Sequence, residues 1–311
     1  MRRIISTYAT IVAAVSIVSL PSIFAEGEWT LHVEAGGQNR QMTPVSVVVP
    51  YSWKNSQRVL MRAEGTAKKT AELGQVSPHG DGKGLLTWVI EDLAAGTSRT
   101  YSAKVAKVTS ANYAWSDSSA EKIKSLDLKI GGQPVLRYMH TPFDKADIEL
   151  TKKPFHMVYS PDGKRFLTKP HGGLFPHHRG IYFGYNRCRI GDKGSKNNAD
   201  IWHARDGEHT IHVDTLEKIE GPVAGGHVLK IHWNDRQGKT FAEETRRLVV
   251  YSQAGGQRLI EFDTTLRATD EPVDLKGDPP RAPSCRTPAA QCGPDHRVRV
   301  GRVPPYPVRV R

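Results

Sequence analysis

Cysteine is scarce: the 311 residues hold three, and two of them, Cys285 and Cys292, sit in the last stretch of the chain. Cys188 is alone in the body, which excludes a disulfide framework or a cysteine-rich zinc site as the organiser of the fold. Long apolar runs are missing too. Nothing beyond the N-terminal segment reaches the roughly 18 consecutive apolar residues of a membrane-spanning helix. There is no Walker loop, dinucleotide fingerprint, serine elbow or heptad repeat, so the function classes that depend on those devices drop out.

Acidic residues are outnumbered 32 to 44 by Lys and Arg, for a formal net charge of +12. Arg2 and Arg3 contribute two of these charges, residues 282–311 with six Arg and one Asp contribute five, and residues 26–281 hold the remaining five. Nucleic-acid binding needs basic residues gathered on one surface, and a body with so modest an excess does not supply that footprint. No nucleic-acid partner is expected.

The two ends read differently from the body. Residues 1–25 combine Arg2 and Arg3, an apolar run from Ile11 to Leu20, Pro21 and a small Ala25. That is the pattern of a cleaved secretory signal, which implies a periplasmic or secreted protein with no transmembrane segment after cleavage. From Ala282 the text becomes "APSCRTPAAQCGPDHRVRVGRVPPYPVRVR", rich in Pro and Arg and without apolar period. GC-rich DNA read out of frame encodes this composition, so residues 282–311 read as an aberrant, frameshifted tail that would leave the fold incomplete at its C-terminus.

Between the ends, short β-branched or alternating runs dominate: 30–34, 45–49, 85–90, 126–130, 155–159, 229–233, 247–251 and 259–266, separated by Gly, Asp and Pro turns. This is an all-β pattern, and short strands at this spacing point to sandwiches. The best helical runs, 119–126 and 241–248, are brief and lack convincing caps. "TSANYAWSDSSAEK", residues 109–122, is polar and aperiodic and reads as a linker. The expected order is a small N-terminal β-sandwich over 26–108, that linker, and a larger antiparallel β-sandwich over 123–281 carrying ten of the thirteen histidines.

The succession "AGGQNRQMTPVSVVVP", "GLLTWVIEDLAAGTSRTYSAKV", "PVLRYMH", "HGGLFPHHRGIYFGYN", "DIWH" and "KTFAEETRRLVVY" resembles the PmoA-like family of secreted proteins from planctomycetes and related bacteria, often labelled "methane oxygenase PmoA". The resemblance runs from about residue 28 to 281, with "PHHRGI" its most specific element. It implies a β-sandwich protein from organisms rich in secreted polysaccharide-degrading systems. The label does not carry a function, since the membrane-bound methane monooxygenase subunits are polytopic.

Chemistry gathers in "HGGLFPHHRGIYFGYN", residues 171–186, where His171, His177, His178 and Arg179 lie in nine positions. Histidine titrates near neutrality and guanidinium takes carboxylates bidentately, so a general acid or base with Arg179 holding an anion is the functional reading. The plainer reading is one buried and one exposed imidazole, because neighbours on the expected strand "GIYFGY" and its approach face opposite ways unless Pro176 turns the chain. "IWHARDGEHTIH" adds His203, His209 and His212 near Asp206 and Glu208, a set from which a divalent-metal site could be drawn although no spacing matches a zinc signature. Read as a strand, "GEHTIHVDTL" puts Ile211 and Val213 inward and His212, Glu208 and Asp214 on the other face. In "FAEETRRL", Glu244 and Arg246 share a face, either as a structural ion pair or as a carboxylate for sugar chemistry. Trp202 beside His203 suits a sugar-stacking platform or plain packing.

These residues support an enzyme acting on carbohydrates as hydrolase, lyase or epimerase. His178, His212 and Glu244 are its expected acid–base groups, and His177, Arg179, Trp202 and Arg246 its substrate contacts. A non-catalytic carbohydrate- or ligand-binding protein is the alternative. A metal-dependent oxidase, suggested by the family label alone, comes third.

Overall fold

Alternating apolar residues give strands almost throughout the computed structural model, which describes residues 17–18, 28–49, 58–65, 71–79, 83–106, 113–252 and 258–276. The expected signal, apart from residues 17–18, lies outside the described residues, as do the basic tail and its two cysteines. The chain divides into two units after Val108.

The first unit contains β1 (Ile17–Val18), β2 (Glu28–Glu34), β3 (Arg40–Val49), β4 (Arg58–Ala63), β5 (Glu72–His79), β6 (Lys83–Leu93) and β7 (Ser98–Val105). They form one antiparallel sheet in the order β1-β2-β7-β4-β5-β6-β3. Residues two apart on a strand point the same way. Leu31 and Val33 of β2, Val45, Val47 and Val49 of β3, Leu86, Trp88 and Ile90 of β6, and Tyr101 and Ala103 of β7 therefore share one core.

The second unit begins with β8 (Tyr113–Asp117), β9 (Ser125–Ile130), β10 (Gln133–Met139) and β11 (Phe155–Val158), sheet order β11-β10-β9-β8. A single-turn helix, α1 (Ile148–Thr151), interrupts the connection from β10 to β11. β12 (Arg187–Ile190) pairs with β13 (Asn198–Ala199) on one side and with the last described strand, β18 (Val273–Lys276), on the other. A third sheet runs β14 (His209–Ile219), β15 (Ala224–Asn234), β16 (Thr240–Ser252) and β17 (Arg258–Ala268) in chain order. Tyr113, Leu128, Val135 and Leu136 of the first sheet pack on Leu248, Val250 and Phe262 of the third, which makes the sandwich. Tyr138, Cys188, Ile190, Leu229, Ile231 and Trp233 fill a second core cluster that includes β12. Each wholly buried large side chain of this kind contributes about 1.5–3 kcal/mol through removal from water.

All eight expected runs fall in strands, and the all-β sandwich class is what the chain adopts. Five local expectations are corrected. Residues 113–117, read as part of the linker, form β8, because Tyr113 is wholly buried against Gly225, where an added Cβ would stand 2.3 Å from the Tyr113 Cβ. The helical run 241–248 lies in β16, and 119–126 is a turn leading into β9. "GIYFGY" is irregular apart from one bridge between Ile181 and His156. On β14, Val213 points outward and is 43% exposed, because a bulge between His212 and Asp214 breaks the period-two alternation.

Candidate functional site

Three segments of the second unit assemble the site: the end of α1, the irregular stretch 171–182 and the turn 200–204. Asp200 builds the turn. Its carbonyl accepts from Ala204 N at 2.9 Å and its Oδ1 from His203 N at 2.8 Å, while Oδ2 meets His203 Nδ1 at 2.7 Å. Such an Asx-type turn fixes a short polar chain against its own backbone, and here it also fixes the imidazole.

The stretch 171–182 is held from below by Gly180. Its N–H donates to Lys169 O, and next to it Ile181 and His156 exchange both backbone hydrogen bonds, at 2.8 and 3.0 Å. Its φ of +23° and a virtual Cβ 2.0 Å from His156 O leave room only for glycine. A turn in which His178 N donates to Phe175 O carries Pro176 and His177. It buries His177 and leaves His178 exposed, yet keeps their rings 4.2 Å apart. One buried and one exposed imidazole is the plainer of the two readings, and the turn at Pro176 is what still brings the rings together. His203 reaches the same place, with ring centroids 4.6 Å from His177. Trp202 lies 6.1 Å from the His178 ring and 5.3 Å from that of Tyr182, whose hydroxyl donates to His177 O.

Cations line the inner side. Lys153 is 3% exposed; its ammonium donates to the carbonyls of Ile201 and Trp202 and sits 4.1 Å from the Tyr182 ring centroid. Arg179 is 2% exposed and donates through Nη2 to Pro176 O at 2.8 Å and to Glu149 Oε2 at 3.4 Å. Glu149 also takes Lys152 Nζ at 2.7 Å. Burial pushes the Lys153 ammonium well below its usual range, with Arg179 and Lys152 adding to the effect. Burial, followed by His178 and His203, pushes His177 down to about 4. His178 is lowered as well, first by desolvation. Burial pushes the Tyr182 phenol up.

His177, His178, Arg179 and Trp202, the expected substrate contacts and one of the expected acid–base groups, thus lie in one region, and His203, a metal candidate in the sequence, joins them. The other three expected residues do not. Glu244 is wholly buried, and its oxygens accept from Arg246 Nε at 2.7 Å, Arg246 Nη2 at 3.1 Å, Trp233 Nε1 at 2.9 Å and Thr264 Oγ1 at 2.9 Å. Arg246 is equally buried and ties to Pro154 O at 3.2 Å. With every acceptor engaged and no exposure, this pair is a core strut, and neither residue meets substrate. His212 lies with Tyr138, 3.2 Å from its hydroxyl, and packs edge-on to His140. Among the described residues no hydrogen bond, ion pair or ring contact joins His212 or Glu244 to His177 or His178.

A second histidine group lies in the core, with no sign of it in the sequence. His156 Nε2 and His227 Nε2 stand 2.7 Å apart in the core, stacked against Tyr138 and Trp115. Burial pushes both well below the ordinary imidazole range, so a neutral ring donates to a neutral ring. Single histidines on apolar strands carry no such signal until the strands are paired. Asp200, Lys153 and Glu149 were likewise missed, since each is isolated in sequence from its partners. The Asp200-x-x-His203 spacing in "DIWH" was the available hint. Cys188 is buried and its thiol is pushed up to about 12. Among the described residues no three His, Cys, Asp or Glu side chains converge as metal ligands.

No curated protein and no solved structure matches the chain. A family described as a family of unknown function, DUF6807, matches residues 125–299, a span that takes in the whole site and runs on past Ala282. As the match covers more than half of its length, the chain belongs to the DUF6807 family of unknown function.

Proposed function

We propose that the chain is an acid–base enzyme acting on carbohydrate, of hydrolase, lyase or epimerase type, with His203 as its working base. The observation that carries this reading is the 2.7 Å contact of Asp200 Oδ2 with His203 Nδ1 beside two further imidazoles. A carboxylate on Nδ1 holds that nitrogen as the donor, which leaves Nε2 free to accept a proton. His177, neutral at pH 7 by its lowered pKa, orients a substrate hydroxyl as donor or acceptor rather than as a cation. His178, exposed, and Trp202, half-buried, supply an edge and a face on which a sugar ring stacks. The resemblance to PmoA-like secreted proteins and the N-terminal signal pattern support a periplasmic or secreted setting.

A panel of reducing-end-labelled oligosaccharides incubated with the full chain tests this, with products read by mass spectrometry. Turnover should fall about 100-fold or more in Asp200→Asn and in His203→Gln, the range of general acid–base contributions. Binding without turnover would favour the ligand-binding alternative, for which the Trp202 and Tyr182 pairing is the supporting observation. Undiminished turnover in both variants would remove His203 from the reaction.

A further inference from the structure

We propose that the ligand of this site carries one carboxylate, taken up by the guanidinium of Arg179 and the ammonium of Lys153. The proposal rests on the reading of the His203 site as a carbohydrate site and narrows it to acidic sugars. Three cations, Lys152, Lys153 and Arg179, are each 3% exposed or less. Among the described residues the one carboxylate that pairs with Lys152 and Arg179 is Glu149, whose side chain is 47% exposed and divided between them, and no carboxylate pairs with Lys153. Asp200, whose charge reaches Lys153, is engaged by His203.

Hydrogen bonding is as incomplete as charge. Arg179 Nε and Nη1 are buried and find no acceptor, and neither does the Nδ1 of His171, whose ring feels the charge of Arg179. Lys153 gives two of its three N–H donors to backbone carbonyls, which cancel no charge. A buried guanidinium with unmet N–H groups is costly, and an anion supplies both missing quantities at once, charge and acceptors. A monoanion fits better than a phosphate dianion because Glu149 already offsets part of the charge. α1 has only four residues and offers no helix terminus for a second negative charge.

Acetate provides a probe that does not depend on any sugar. Titrated into the full chain and followed by histidine-ring NMR, it should shift ring resonances of the 171–178 histidines saturably, and the shifts should be absent in Arg179→Gln and in Lys153→Met. Lack of saturable shifts in the unaltered chain overturns the proposal even where neither variant folds. Calorimetry with D-glucuronate, its methyl ester and a 6-sulfated sugar then separates the possibilities. Glucuronate should bind at least about tenfold more tightly than the ester, the gain of one charge-assisted contact, and His203→Gln should keep that preference. Equal binding of acid and ester, or preference for the sulfated sugar, overturns the carboxylate assignment and leaves the sugar reading standing. Saturable acetate shifts with no affinity for any of the sugars would instead retain the anion site and remove the carbohydrate reading.

Discussion

At Gly180 a methyl group would fall 2.0 Å from the carbonyl oxygen of His156 and 2.8 Å from the Phe155 ring. Neither neighbour is the free end of a flexible chain, so Gly180→Ala must push the stretch 171–182 off β11 and break the exchange between Ile181 and His156. The expected loss is about 3 kcal/mol or more, from overpacking and a φ that alanine resists. Urea denaturation checks it, and an unchanged midpoint would refute the close approach. The same position shows how single residues carry site geometry. "HHRG" was visible in the sequence, but that its glycine seats the histidines on a backbone is a fact about β11, which lies over twenty residues earlier.

At the scale of the element, β16 explains why Glu244 misled. Period two put Glu244 and Arg246 on one face correctly, and of the two readings left open, structural ion pair and sugar-chemistry carboxylate, the interior of the sandwich selects the first, with Trp233 and Thr264 completing the carboxylate's bonds. Glu244→Gln should cost about 3–5 kcal/mol by leaving Arg246 charged and unpaired in the core. A double variant, Glu244→Leu with Arg246→Met, should recover much of it, since apolar replacements of a buried pair are often neutral. Equilibrium urea unfolding of both checks this, while turnover per folded molecule should hold. β14 shows the complementary lesson: alternation identified the strand, and the bulge after His212 then changed which side chains face out.

For the whole molecule, buried histidine sets the response to pH. His140 and His177 are held down to about 4, His140 by burial and then by His212, and His156 and His227 are pushed well below the ordinary value. An unfolded imidazole titrates near 6.5, so as pH falls the unfolded chain takes up protons first. Stability should therefore be full above about pH 6.5 and decline progressively as pH falls toward about 4. Thermal unfolding across that range checks the direction. A midpoint that rises on acidification would contradict neutral buried rings.

Composition and periodicity determined the fold class, because a strand's face is written in every second residue and turns announce themselves with Gly, Asp and Pro. They also located "PHHRGI" as the centre of interest. Tertiary structure alone decided the partners. Lys153 and Glu149 come from the helix end before β11, His177 and Arg179 from the stretch after it, and Asp200 with His203 from a turn beyond β13. Convergence of side chains so distant along the chain depends on how strands pair and sheets pack, which no local pattern encodes. Burial was decided there too: Glu244 and His178 are both polar residues in the sequence, and only the sandwich makes one a core strut and the other an exposed edge.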